Sequence, residues 1–210
     1  MNLLRRMAPL ALVLLALPLH AGKREFSVDR NHSVLGFKAA TPLFEVPGRF
    51  DRYKVQIEGD PDTLAEVKVR VELDAASINT SNAGRDQHLR TPDFFDAARY
   101  PKLVFTSEKA WKEGEQVKVA GTLEIHGQKK DITLAFTPAT GLNGAGVPTW
   151  SYRGTLRIDR KDFGIGTDSL AAKIGLKDAV DLDLLLVGFF NEPAAPAAAP
   201  ARKHGKGKKG

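Results

Sequence analysis

The nine residues AEVKVRVEL, from Ala65 to Leu73, alternate apolar and charged side chains without a break. Every odd-numbered position is apolar and every even-numbered one is charged. Because successive side chains of a β-strand point to opposite faces, this stretch would bury one face and expose the other. Such one-sided strands are typical of antiparallel sheets, whereas strands of parallel sheets are apolar on both faces. The stretch therefore predicts a strand of an antiparallel sheet.

The same two-residue period continues on both sides of this stretch. Turn-forming residues separate the segments and no βαβ rhythm is present, so an all-β sandwich or up-and-down barrel of eight or nine strands is expected. The strands are predicted over residues 25–28, 33–41, 49–58, 65–73, 103–108, 116–125, 131–137, 150–158 and 180–188. Their apolar interior is predicted to include Leu35, Phe37, Val55, Ile57, Val69, Val71, Val119, Leu123, Tyr152, Leu156 and Leu182.

Residues 74–107 interrupt this two-residue period. We call this segment the excursion and expect the functional site to lie in it. Ser81 or Asn82 can cap a helix over residues 82–90, and Thr91 followed by Pro92 predicts the start of another helical turn. Phe94 and Phe95 would then point about 100° apart. We therefore expect one phenylalanine to anchor the excursion to the barrel and the other to line a ligand entrance.

The two ends of the chain differ from its middle. Residues 1–21 resemble a secretory signal peptide, with two arginines before an apolar run, which predicts periplasmic export. Residues 191–210 form a Pro/Ala-rich basic tail that is expected to be disordered, and it would serve either as a weak contact to anionic membranes or as a solubilising extension. Seven of the 31 basic and one of the 25 acidic residues lie in these ends, so residues 22–190 are neutral. A neutral single domain argues against nucleic-acid binding.

Catalytic and metal-binding patterns are missing from the sequence. The chain has no cysteine, and it lacks the H-E-x-x-H, G-x-S-x-G and P-loop motifs. The histidines His32, His88 and His126 have no metal-ligand spacing. We therefore predict a protein that is not an enzyme and needs no metal or cofactor. Arg85 is expected to pair with Asp93 or Asp96.

Several motifs resemble the YceI-like family, secreted bacterial lipocalin-like proteins that bind polyisoprenoid lipids. The matching motifs occur in the same order as in that family, from about Phe26 to Val187. These motifs are His32-Ser33 with Phe37, Gly48-Arg49-Phe50, Arg85-Asp86-x-His88-Leu89, Pro92 to Asp96, Tyr100-Pro101, Phe105-x-Ser107, Gly121-x-Leu123-x-Ile125-x-Gly127 and Arg160-x-Asp162-Phe163-Gly164. The resemblance implies a roughly eight-stranded lipocalin-like barrel with a short helical insertion and a lipid tunnel. The segment from Arg160 to Gly166 is interpreted as a turn that closes the barrel.

The leading hypothesis is a periplasmic carrier or sequestering protein for an isoprenoid-chain or quinone-type lipid. The alternatives are a hydrolase or isomerase that uses Asp86 and His88 on a lipid-like substrate, and a structural envelope protein with a filled barrel. The resemblance also suggests a homodimer. The residues expected to bind the ligand are Phe37, Phe44, Phe50, Arg85, His88, Leu89, Phe94, Phe95, Phe105 and Tyr152.

Overall fold

The computed structural model describes residues 23–64 and 66–191. The expected leader, Ala65 and the tail beyond Asn191 lie outside the described residues. Eleven strands and two α-helices are present in the described part, with short 3₁₀ turns at Ala75–Ser77 and Arg160–Phe163. The strands are β1 Arg24–Val28, β2 Val34–Ala40, β3 Glu45–Phe50, β4 Tyr53–Gly59, β5 Lys68–Asp74, β6 Ile78–Asn79, β7 Lys102–Glu113, β8 Gln116–Ile125, β9 Gln128–Leu142, β10 Pro148–Asp159 and β11 Ala179–Phe190, and the helices are α1 Ala83–Leu89 and α2 Leu170–Gly175.

The strands close into an antiparallel barrel of eight. The ring runs in the order β1, β4, β5, β7, β8, β9, β10 and β11, and β1 pairs with the end of β11. β2 continues β1 along the same edge of β11, pairing with residues 180–185, and β3 and β6 extend the sheet beyond it. All pairings are antiparallel, which confirms the predicted all-β fold class. The ring closes where β1 joins β4 through the pairs Arg24–Gly59 and Glu25–Glu58.

Strand lengths differ from the predictions where backbone conformation intervenes. β5 begins at Lys68 rather than Ala65, because Leu64 and Glu66 adopt left-handed φ values of 58° and 53° that bend the chain there. β9 begins at Gln128 rather than Asp131. His126 and Gly127 both have positive φ, 51° and 74°, and this two-residue turn lets pairing start immediately on either side of it.

The excursion contains one helix where two helical turns were predicted. α1 forms as expected, and the Asn82 side chain accepts a hydrogen bond from the Arg85 backbone N–H at 2.9 Å. The predicted helical turn at Thr91 and Pro92 is wrong. The Thr91 carbonyl accepts hydrogen bonds from the backbone N–H groups of Phe94 and Asp96, and Asp96 has a φ of 42°, so the chain forms successive turns there.

The connection between β10 and β11 contains a helix that the sequence did not predict. α2 is capped by Ser169, whose side chain accepts a hydrogen bond from the Ala172 backbone N–H. Together with the 3₁₀ turn before it, α2 lies at the same end of the barrel as the excursion. Within the described residues, no helix has the length and apolar character needed to cross a membrane.

Candidate ligand cavity

The barrel encloses an apolar cavity of about 220 Å³. Its wall extends from Leu64 and Phe190 near one end to Ala39 and Leu176 near the other. Nine of the eleven residues predicted for the interior line it, namely Leu35, Phe37, Ile57, Val69, Val71, Val119, Leu123, Tyr152 and Leu182. Val55 and Leu156 are half-buried outside the wall. The two-residue period therefore identified the inward face on most strands.

Seven of the ten residues expected to bind ligand line this cavity. They come from β2, β3, β7, β10, α1 and the turns that follow α1, so residues far apart in sequence meet around one space. The seven are Phe37, Phe50, Leu89, Phe94, Phe95, Phe105 and Tyr152.

Phe50 connects the barrel wall to the excursion. Its ring centroid lies 6.0 Å from that of Phe37 and 5.9 Å from that of Phe95, edge to face. Phe94 is 7% exposed and its ring stands edge-on to His88 at 5.1 Å. Both Phe94 and Phe95 line the cavity, but Phe94 is buried and Phe95 is half-buried, so the expected division into one anchoring and one ligand-contacting residue stays a prediction.

Phe44, Arg85 and His88 lie outside the cavity wall. Phe44 is 59% exposed at the tip of the β2–β3 hairpin. The Arg85 side chain donates hydrogen bonds from Nε to Thr80 Oγ1 at 2.7 Å and from Nη2 to the Thr80 carbonyl at 2.8 Å. The expected pairing of Arg85 with Asp93 or Asp96 is therefore wrong, because Thr80 is closer along the chain and occupies the guanidinium.

The structure does not bring Asp86 and His88 together as a catalytic pair. Asp86 is buried, and its Oδ1 accepts hydrogen bonds from the backbone N–H and the hydroxyl of Thr80. His88 Nε2 lies 2.8 Å from Asp93 Oδ2 at the half-exposed surface of the excursion. These contacts fix β6, α1 and the following turn to one another. Within the described part of the chain, no group of three His, Cys, Asp or Glu side chains is placed to hold a metal ion.

Arg160 is the one charged residue of the described cavity wall. It is 3% exposed, and its guanidinium is fully engaged. Nε donates to the Lys177 carbonyl at 3.1 Å, Nη1 to the Ile165 carbonyl at 2.7 Å, and Nη2 to Asp178 Oδ1 at 2.9 Å. Arg160 therefore holds the β10–β11 connection in place. This agrees with the interpretation of Arg160 to Gly166 as a barrel-closing turn, whereas the burial of Arg160 and its place in the cavity wall were not predicted.

Tyr152 is the second polar residue in the wall. Burial is the main cause that raises the pKa of its hydroxyl to about 12, and Asp62 adds to the shift while Arg24 opposes it. Its ring stands edge-on to Phe26 at 5.9 Å, near the end of the barrel opposite the excursion. The phenol is therefore neutral at physiological pH and can offer a hydrogen bond at this end of the barrel.

A closed eight-stranded antiparallel barrel with an apolar interior defines a lipocalin-like protein. The YceI-like domain model matches residues 26–187, and the chain belongs to that family. A UPF0312 protein of Vibrio cholerae is 30% identical over 183 residues, which cover 83% of this chain and 92% of that protein.

Two solved structures share the fold. The crystal structure of BcnA from Burkholderia cenocepacia has a TM-score of 0.70 at 26% identity, covering 78% of this chain and 100% of that one. A polyisoprenoid binding domain from Saccharophagus degradans has a TM-score of 0.56 at 18% identity, covering 81% of this chain and 98% of that one. The matched family and the shared fold thus agree with the resemblance that the motifs carry.

Proposed function

We propose that this protein binds an isoprenoid-chain or other long-chain amphiphilic lipid inside its barrel and carries or sequesters it in the periplasm. The observation that carries the proposal is the continuous apolar wall, from Leu64 at one end to Leu176 at the other. Transfer of a hydrocarbon chain into such a wall contributes about 0.8 kcal/mol for each buried CH₂ group. Binding therefore needs no charged contact.

The polar groups of the wall fit this type of ligand. Arg160 uses its guanidinium on the protein's own carbonyl groups and Asp178, which leaves it little capacity to attract an anionic headgroup into the barrel. Tyr152 offers one neutral hydroxyl, which suits a quinone, phenol or alcohol headgroup. The shared fold of the polyisoprenoid binding domain from Saccharophagus degradans supports a polyisoprenoid chain as the ligand.

Native mass spectrometry of the secreted protein tests the proposal. We expect a co-purifying lipid that is released on unfolding and extracts into organic solvent, and the same spectra report whether the protein is a homodimer. Val69→Trp would fill the cavity and should abolish the added mass, whereas Lys68→Trp, on the outer face of the same strand, should retain it. A compact protein without lipid in both the parent and Lys68→Trp forms would refute the carrier function.

The periplasmic location rests on the signal-like residues 1–21. Cell fractionation with N-terminal sequencing tests it separately. A mature N-terminus near residue 22 in the periplasmic fraction is expected, and a full-length cytoplasmic product would contradict the location without affecting lipid binding.

A further inference from the structure

Four large apolar side chains project into solvent at the end of the barrel that carries the excursion. Leu43 is 89% exposed and Phe44 59% exposed on the β2–β3 hairpin, and Leu170 is 71% and Ile174 77% exposed on α2. We call these four residues the tip patch. Single exposed apolar residues are ordinary on protein surfaces, but a group of large ones on adjacent tips indicates an interaction site.

The two tips are fixed beside each other by the backbone. The Lys177 N–H donates a hydrogen bond to the Ala40 carbonyl at 2.8 Å, and this bond joins the chain leaving α2 to the end of β2. Leu43 and Phe44 follow Ala40 by three and four residues, and Ile174 precedes Lys177 by three. Leu170 lies one turn before Ile174 on the same face of α2.

Local contacts hold the apolar side chains outward. On the hairpin, Thr41 Oγ1 accepts hydrogen bonds from the backbone N–H groups of Leu43 at 3.2 Å and Phe44 at 3.0 Å, which folds the tip into a defined turn. On α2, Ala172 is 2% exposed and faces the barrel, so Leu170 and Ile174 face away from it. The exposure of the four side chains therefore follows from the structure of the hairpin tip and of α2.

The tip patch continues the wall of the cavity. Ala39 and Leu176 line the cavity, and each lies within four residues of a patch residue. The apolar surface thus extends from the interior to the outside along the junction between the hairpin and α2. This geometry points to a partner that is itself apolar and can exchange a lipid chain with the barrel.

We infer that the tip patch docks on the surface of a phospholipid bilayer. Lys173, between Leu170 and Ile174, and Lys177 form no ion pair among the described residues, so their ammonium groups are free to meet anionic headgroups. Asp178 is already bonded to Arg160 and Lys161. A second copy of the protein on this patch would instead close the junction that leads to the cavity.

Apolar insertion provides most of this contact, because the acids Glu45 and Asp168 also lie near the patch. Docking is therefore expected to persist at high salt, unlike an electrostatic contact of the basic tail. The inference deepens the proposed carrier function but can be tested without the cargo. Vesicle binding by the cavity-filled Val69→Trp protein separates membrane docking from cargo binding, since that variant should lose its lipid and still bind vesicles.

Co-sedimentation of the full secreted chain with phosphatidylethanolamine/phosphatidylglycerol vesicles tests the inference. The double variants Leu43→Ser/Phe44→Ser and Leu170→Ser/Ile174→Ser should each lower the partition coefficient by at least tenfold, because burial of even one large apolar side chain accounts for about that factor. The matched control is Leu142→Ser/Val147→Ser, which removes exposed apolar residues at the opposite end of the barrel and should leave binding unchanged. Unaltered thermal unfolding confirms that all variants are folded.

Three results would overturn the inference. Equal loss in the control variant would mean that any exposed apolar residue suffices. Complete loss of binding of the parent protein at 0.5 M NaCl would assign the contact to charge alone. Finally, a dimer in sedimentation velocity that the tip-patch variants dissociate would show that a second copy covers these residues.

Discussion

Arg160 Nη2 lies 2.9 Å from Asp178 Oδ1, and this contact joins the end of β10 to the segment just before β11. Lys161 reaches the other oxygen of the same carboxylate at 2.8 Å. The two cations differ in burial, since the Arg160 side chain is 3% exposed and that of Lys161 52% exposed. Asp178 therefore offers a comparison of a buried and a surface ion pair on one acceptor.

We expect Arg160→Leu to lower the free energy of unfolding by about 3–5 kcal/mol, because it removes the donors of several buried carbonyl groups together with the ion pair. Lys161→Leu should cost less than about 1 kcal/mol, as for other surface pairs. Urea unfolding of both variants measures the difference. Equal losses would show that the guanidinium does not secure the β10–β11 connection.

Gly121 lies where β7 and β8 approach each other closely. A Cβ atom there would stand 2.2 Å from the Thr106 carbonyl oxygen and 2.7 Å from Ser107 Cα, at the irregular register between β7 and β8. Gly121→Ala must therefore displace backbone and should cost about 1–3 kcal/mol. Gly141→Ala is the control, since nothing lies within 4 Å of its added Cβ. Its unfolding midpoint should be unchanged or slightly raised, and a similar loss at both sites would contradict the contact.

The sequence was informative wherever a local rule and the tertiary structure agreed. Alternation placed Val69 and Val71 in the cavity wall, and the cap at Asn82 began α1. The sequence was uninformative where long-range contacts determine the local structure. Thr91 and Pro92 satisfy the local signals for a helix, yet the Phe95 N–H bonds to the Leu89 carbonyl and the chain turns back on α1. The burial of Arg160 likewise depends on carbonyl groups up to 17 residues away.

Phe94 and Phe95 differ in burial although both line the cavity. Phe94 is buried against His88, so Phe94→Ala should cost about 3–5 kcal/mol. Phe95 is half-buried beside open cavity space and Phe50, so Phe95→Ala leaves less new void and should cost about half as much. If the barrel carries a lipid, Phe95→Ala should also lower the lipid retained per folded protein.

Urea unfolding and the lipid-to-protein ratio, measured on the same preparations, check both statements. Phe105→Ala, on β7 in the cavity wall, serves as a reference for a buried phenylalanine on a barrel strand. If both Phe94→Ala and Phe95→Ala match this reference in stability and neither changes the lipid ratio, the excursion contributes only to packing.

Tyr152 should make the stability of the protein fall in alkaline solution. Burial raises its pKa to about 12 in the folded state, against about 10 in the unfolded chain. The unfolded state therefore loses this proton first, so the stabilisation is complete below about pH 10 and is lost as the pH rises toward 12. Between pH 9 and 11, titration of this hydroxyl should lower the free energy of unfolding of the parent protein by about 1.4 kcal/mol.

Tyr152→Phe removes the titrating hydroxyl while keeping the ring against Phe26, so its free energy of unfolding should fall less over the same interval. Urea unfolding at pH 9, 10 and 11 on both proteins gives the difference directly. Tyr53→Phe is a useful control, because burial also raises the pKa of Tyr53 but that residue lies outside the cavity wall. Parallel stability curves for the parent and Tyr152→Phe would mean that the phenol is solvated, and it would then be a poor candidate for contacting a headgroup inside the barrel.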